Sequence, residues 1–174
     1  MVSDVAANCE ALIAQGRVHF LLCHAHPQVP GRLDPADFPS VQVGTDVLLP
    51  VCAPGRAGKP RHALEGGGSV PLLGYSSESG LGRIVRALRG EALERAAAGP
   101  VFTAHLATLL KTMALEGRGV AFLPRTLIED ELAGGRLVEA GRAGWPIEVQ
   151  VRLCRRAGAE APTAEAFWAA VERV

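Results

Sequence analysis

The chain has 174 residues, is 48% hydrophobic, and balances 18 Lys and Arg against 18 Asp and Glu, for a formal net charge of +0. That length and apolar content suffice for a folded core without metal or disulfide staples, and the balanced charge lacks the basic footprint of a non-specific DNA or anionic-membrane binder. No apolar run approaches the roughly 20 residues that span a bilayer, and the N-terminus lacks the basic-then-apolar layout of a signal peptide, so a cytoplasmic location is expected.

In chain order, Val5, Cys9, Leu12 and Ile13 recur at helical spacing. Ser3 or Asp4 can cap this first helix and Gly16 can end it. The run 18–23, rich in branched and aromatic side chains, suits a buried strand of a parallel sheet. From His26 to Pro39, four prolines and Gly31 predict an irregular connection. Residues 41–43 and 47–52 are the next strands, separated by Gly44-Thr45-Asp46, with a lobe boundary near residues 48–53.

A second α/β series follows, with strand 70–73, a polar loop 74–80, helix 81–89, a second helical piece 91–98 and strand 101–102. Thr103 can cap a helix whose Leu106, Leu109, Leu110 and Met113 face one way, and Gly117 ends it. Strand 120–123 leads to Pro124, which opens helix 125–133, closed by Gly134-Gly135. Strand 137–138, a glycine-rich break at 141–144 and a long strand 147–153 come next. The last helix presents Phe167, Ala170, Val171 and Val174 at i, i+3, i+4, i+7, with Thr163 as its N-cap.

Several ordered segments carry a family likeness. Glu10 to Phe20 runs Glu-Ala-Leu-Ile-Ala-Gln-Gly-Arg-Val-His-Phe; Leu33-Asp34 leads on to Pro50; Gly117 to Pro124 reads Gly-Arg-Gly-Val-Ala-Phe-Leu-Pro; Glu131 to Val138 reads Glu-Leu-Ala-Gly-Gly-Arg-Leu-Val; and Ala166-Phe167-Trp168 lies in the last helix. Together they resemble the effector-binding domain of LysR-type transcriptional regulators, with His19 standing where that family often has Asp. The resemblance implies an α/β, two-lobed fold like type 2 periplasmic binding proteins, each lobe a sheet flanked by helices. Residues 1–50 and 145–174 would form a partial lobe I, and 51–144 lobe II. It implies a small-molecule effector, no catalysis, and a homodimer. The family's winged helix-turn-helix, linker helix and opening strand, helix and strand have no counterpart in these residues. The sequence therefore reads as N-terminally truncated, its dimer weakened and DNA reached only through an absent N-terminal domain. A stand-alone solute-binding protein and a small α/β enzyme using the same cleft are the alternatives.

Ligands of such folds sit where helix amino ends offer unpaired N–H groups, which favours a small anionic metabolite. The loop Gly74 to Gly80 supplies hydroxyls at Tyr75, Ser76, Ser77 and Ser79; it reads as a capped helix start or as an effector loop. Thr103 reads as an N-cap or an effector contact, and His105 as a contact or a solvated first-turn residue. His24, just past the 20–23 run, reads as a contact from the first lobe or a hydrated loop histidine.

Cys23-His24-Ala25-His26 contains metal-ligand types, but the other cysteines are far away in sequence, so neither a metal nor a cofactor is expected. Redox chemistry at Cys23 requires that the strand leave it accessible. Arg83, Arg86 and Arg89 step along one helix face, either holding an acidic partner or solvated. No Ser/His/Asp or Cys/His/Asn set stands out as catalytic, and the glycine clusters match no nucleotide-binding loop.

Overall fold

The computed structural model describes residues 1–97, 99–158 and 161–173. Seven strands form a mixed sheet: β1 (Phe20–Ala25), β2 (Ser40–Cys52), β3 (Leu72–Tyr75), β4 (Pro100–Ala104), β5 (Val120–Pro124), β6 (Val138–Glu139) and β7 (Ile147–Arg155). Their order is β1-β7-β2-β5-β3-β4, with β6 beside β2. The helices are α1 (Ala6–Ala14), α2 (Gly80–Ala96), α3 (Ala107–Leu115), α4 (Arg125–Ala133) and α5 (Pro162–Val171).

β2 organises the molecule. Its first half pairs with β7 and its second half with β5 and β6, all antiparallel, whereas β5, β3 and β4 are mutually parallel. From Leu48 onward β2 is buried continuously, as a strand covered on both faces must be. One face packs Ile84, Val85 and Leu93 of α2 against Leu48, Phe122 and Ile147. The other packs Leu110 and Ala114 of α3 and Ile128 of α4 against Val51, Ala121 and Leu123. Truncating one of these large side chains to Ala costs on the order of 2–5 kcal/mol. A third, smaller core joins Ile13 of α1 to Leu21 and Cys154.

The Gly-Arg-Gly segment before β5 is dictated by backbone needs. Gly117 takes φ 72°, closing α3 in the left-handed region. Gly119 abuts Pro71 so closely that a Cβ would collide with the Pro71 carbonyl. That carbonyl accepts a hydrogen bond from Val120 N–H at 2.9 Å and so sets the register of β5 beside the chain leading into β3.

Several expectations change. The 18–23 run is not a buried parallel strand. β1 is an edge strand, antiparallel to β7, with Leu21 buried and Leu22 62% exposed. Residues 41–43 and 47–52 are one strand, because β7 pairs across the gap between them, from Ser40 to Leu48, and absorbs Val43 as a register shift. The two helical pieces at 81–98 are one helix running through Gly90 to Ala96; Ala98 lies outside the described residues.

None of the expected caps at Ser3 or Asp4, Thr103 and Thr163 takes that place. Val5 precedes α1 without a side-chain cap, although Asp4 Oδ1 accepts from Val5 N–H at 2.7 Å. Leu106 precedes α3 because β4 runs on through Thr103, and Ala161 precedes α5 because Pro162 supplies the first turn. In α3 the buried side is Leu110 and Ala114, leaving Leu106 and Leu109 nearly half exposed. In α5 it is Ala164 and Trp168, with Phe167 exposed; Val174 lies outside the described residues. Phe20 stacks on Trp168 at 6.3 Å, and the Arg155 guanidinium lies 4.8 Å from the Trp168 ring, fastening α5 to β1 and β7.

Candidate functional site

The polar loop after β3 ends in a true N-cap. Ser79 Oγ accepts from Gly82 N–H at 3.2 Å, starting the 17-residue α2. Gly82 lets that start sit tight on β3, since a Cβ there would lie 2.5 Å from Tyr75 Cβ. Arg86 folds back over the loop, donating through Nη1 to the carbonyls of Tyr75 and Ser76 at 3.2 Å and through Nη2 to that of Ser77 at 3.3 Å. The loop is thus held rigidly by its own helix.

A cavity of about 190 Å³ opens at this helix start, lined by His24 of β1, Ser79, Gly80 and Arg83 of the α2 region, Glu10 of α1 and His105 after β4. Helix geometry leaves the first-turn N–H groups of Gly80 and Leu81 without intrahelical acceptors. The macrodipole adds the equivalent of about half a positive charge at that end. Arg83 Nη2 donates to Glu10 Oε1 at 3.3 Å. Arg83 Nε and Glu10 Oε2 are shielded from water with no partner among the described residues. Donor and acceptor capacity is therefore left at the cavity wall.

The His24 imidazole lies with Nε2 3.8 Å from Asp46 Oδ2. Burial holds its pKa below the ordinary value of 6.5, and the Asp46 carboxylate opposes that shift only in part. The ring is consequently neutral at pH 7 and offers one donor and one acceptor.

Of the candidate residues, His24, Ser79 and His105 converge on this cavity. The others do not line it. Tyr75 is buried, its hydroxyl donating to the Phe122 carbonyl at 2.9 Å, and burial raises its pKa. Ser76 Oγ is shielded and without a hydrogen bond among the described residues. Ser77 is exposed and donates to Glu78 Oε1 at 2.7 Å. Thr103 is an exposed residue of β4, opposite Gly74.

Glu10 escaped the sequence reading, and Arg83 was read there only as able to hold some acidic partner, because their ion pair joins positions 73 residues apart. The only hint was the arginine stepping of α2, and all three of those arginines prove to be engaged. Arg89 donates to the carbonyls of Trp145 at 3.1 Å and Pro146 at 2.9 Å. Among the described residues no group of three His, Cys, Asp or Glu gathers as metal ligands, and no helix is long and apolar enough to cross a membrane.

The sequence profile of the LysR substrate binding domain matches residues 1–174. The HTH-type transcriptional regulator YjiE of Escherichia coli K12 is 32% identical over 133 residues, 76% of this chain and 43% of that protein. The HTH domain-truncated transcriptional regulator QseD of E. coli O157:H7 is likewise 32% identical over 133 residues, again 76% of this chain but 54% of that protein. The chain thus spans about half the length of these relatives. The apo regulatory domain of HypT from Salmonella typhimurium superposes with a TM-score of 0.83 at 26% identity, covering 99% of this chain and 79% of that one. Its bromide ion-bound form superposes with a TM-score of 0.80 at the same identity, covering 98% and 78%.

Proposed function

Since the chain belongs to the LysR family of transcriptional regulators through its substrate-binding domain, we propose that it senses a small anion, held at the amino end of α2 in the cavity between His24, Ser79, Arg83 and His105. The observation that carries this reading is the convergence of a capped helix start, unspent N–H groups and an incompletely partnered arginine on one partly open cavity. The bromide ion-bound Salmonella domain, a relative of the same fold, supports an anionic effector. A cavity of about 190 Å³ suits a ligand of a few heavy atoms, such as a halide or a two- to four-carbon carboxylate.

In this reading residues 1–50 and 145–174 act as one lobe and 51–144 as the other, joined through β2 and β7. The effector binds one arrangement of the lobes better and shifts the population toward it. The readout is the geometry of a DNA-binding region linked to this domain in a homodimeric, cytoplasmic regulator. Binding and release suffice for this role, without turnover.

The test is thermal unfolding of the purified chain with sodium bromide, formate, acetate and pyruvate over a concentration series at constant ionic strength. A site-bound anion at 100 times its dissociation constant adds about 2.7 kcal/mol of stability. Saturable stabilisation that weakens in Ser79→Ala and Arg83→Gln supports the reading; stabilisation indifferent to both substitutions, or none from a folded sample, overturns it.

A further inference from the structure

Cys23 of β1 and Cys154 of β7 share one face of an antiparallel strand pair. Leu21 stands opposite Cys154 and Cys23 opposite Arg152, so the two cysteines are diagonal neighbours on that face. Both are free thiols. Both also line an open cavity of about 460 Å³, beside Ser40 and Arg152, with Cys23 half-buried and Cys154 buried at its wall.

Arg152 is held in place by its bonds to Ser40, Nε to Oγ at 3.0 Å and Nη2 to the carbonyl at 2.9 Å. This puts a fixed cation near Cys154. The neighbouring Cys23 thiol, with Arg152 and Ser40 adding to its effect, outweighs desolvation and the nearby Glu10 charge and holds the Cys154 thiol below its ordinary range. Cys23 is raised by its Cys154 neighbour and by burial, so it stays protonated. Cys52 lies in a different core, where burial raises it.

We propose that Cys154 and Cys23 form an oxidation-reactive dithiol, in which Cys154 attacks a hydroperoxide and Cys23 closes a disulfide between β1 and β7. In the first step Cys154 Sγ displaces hydroxide from hydrogen peroxide: the O–O bond breaks, an S–O bond forms, sulfur is oxidised and oxygen reduced. In the second, Cys23 gives up its proton and attacks Cys154 Sγ; the S–S bond forms, the S–O bond breaks, and hydroxide leaves with the proton as water. This chemistry needs no bound anion, although Cys23 also lines the anion cavity.

The experiment treats the reduced, folded chain with hydrogen peroxide, blocks remaining thiols by alkylation and maps the peptides. The expected product has lost two hydrogens and joins the Cys23 and Cys154 peptides, with Cys9 and Cys52 alkylated. Cys23→Ser should leave a sulfenic acid on Cys154 that dimedone traps. In the untreated wild type, alkylation of Cys154 should rise with a midpoint clearly below the ordinary thiol value of about 8.5. A disulfide to Cys9 or Cys52, no disulfide, or a Cys154 midpoint at the ordinary thiol value of about 8.5 overturns the proposal. The wild-type mapping and pH profile decide the matter even if a variant fails to fold.

Discussion

Thr126, in the first turn of α4, is bound at both of its donors by Asp46 of β2: Thr126 Oγ1 donates to Asp46 Oδ2 at 2.6 Å and its N–H to Oδ1 at 3.3 Å. The Asp46 side chain is only 3% exposed, and Oδ1 also accepts from Val47 N–H at 2.7 Å. A carboxylate from the sheet therefore does the capping that Pro124 cannot do for α4. The same carboxylate faces His24, linking the floor of the sheet to one wall of the anion cavity.

Asp46→Ala removes these acceptors and leaves buried donors unpaired. Hydrogen bonds to a charged group contribute roughly 1.5–3 kcal/mol, so a loss of about 2 kcal/mol is expected, with Asp46→Asn losing less. Urea denaturation monitored by circular dichroism checks both values. Equal stability of Asp46→Ala and wild type would deny the capping role.

The depressed pKa of His24 gives a signed pH dependence. As pH falls, the unfolded chain takes up a proton at the ordinary value near 6.5, before the folded chain does. The stabilising contribution of neutral His24 is therefore complete above about pH 6.5 and declines as pH falls toward its folded value. His24→Gln should flatten the stability profile in that window relative to wild type. A wild-type profile that instead gains stability on acidification, with the gain lost in His24→Gln, would mean that the Asp46 attraction dominates over burial.

Two glycines of α2 should respond oppositely to Ala. At Gly82 the new Cβ meets Tyr75 Cβ, so overpacking of about 1–3 kcal/mol is expected, together with displacement of the Ser79 cap. At Gly90 the Cβ enters open space within the helix, and a gain of roughly 0.5–1 kcal/mol is expected. Thermal unfolding of the two single variants distinguishes these signs.

What the sequence revealed depended on how local each determinant was. Gly117, Pro124 and the pair Gly134-Gly135 mark α3 and α4 because termini are decided within a turn. The edge position and antiparallel direction of β1 are decided by β7, which pairs Phe20 with Arg155, and no pattern within 18–23 names that partner. Thr103 looked like a cap because capping chemistry precedes an apolar stripe, yet pairing with Gly74 keeps it in β4. At the cavity, His24, Ser79 and His105 were legible as polar residues at element ends. Glu10 and Cys154 were not, and Arg83 was legible only as an arginine that could hold an acid, because each acquires its role from a partner on another element.

The anion site is tested most directly by titrating the ¹⁵N-labelled chain with sodium bromide, and with any carboxylate that stabilises it, while amide shifts are followed by NMR. Saturable shifts concentrated at Ser79, Gly80 and Leu81, with companion shifts at His24 and His105, are the expected result. Saturable shifts at other surfaces while the Gly80 and Leu81 amides stay still would contradict the account and place any effector elsewhere.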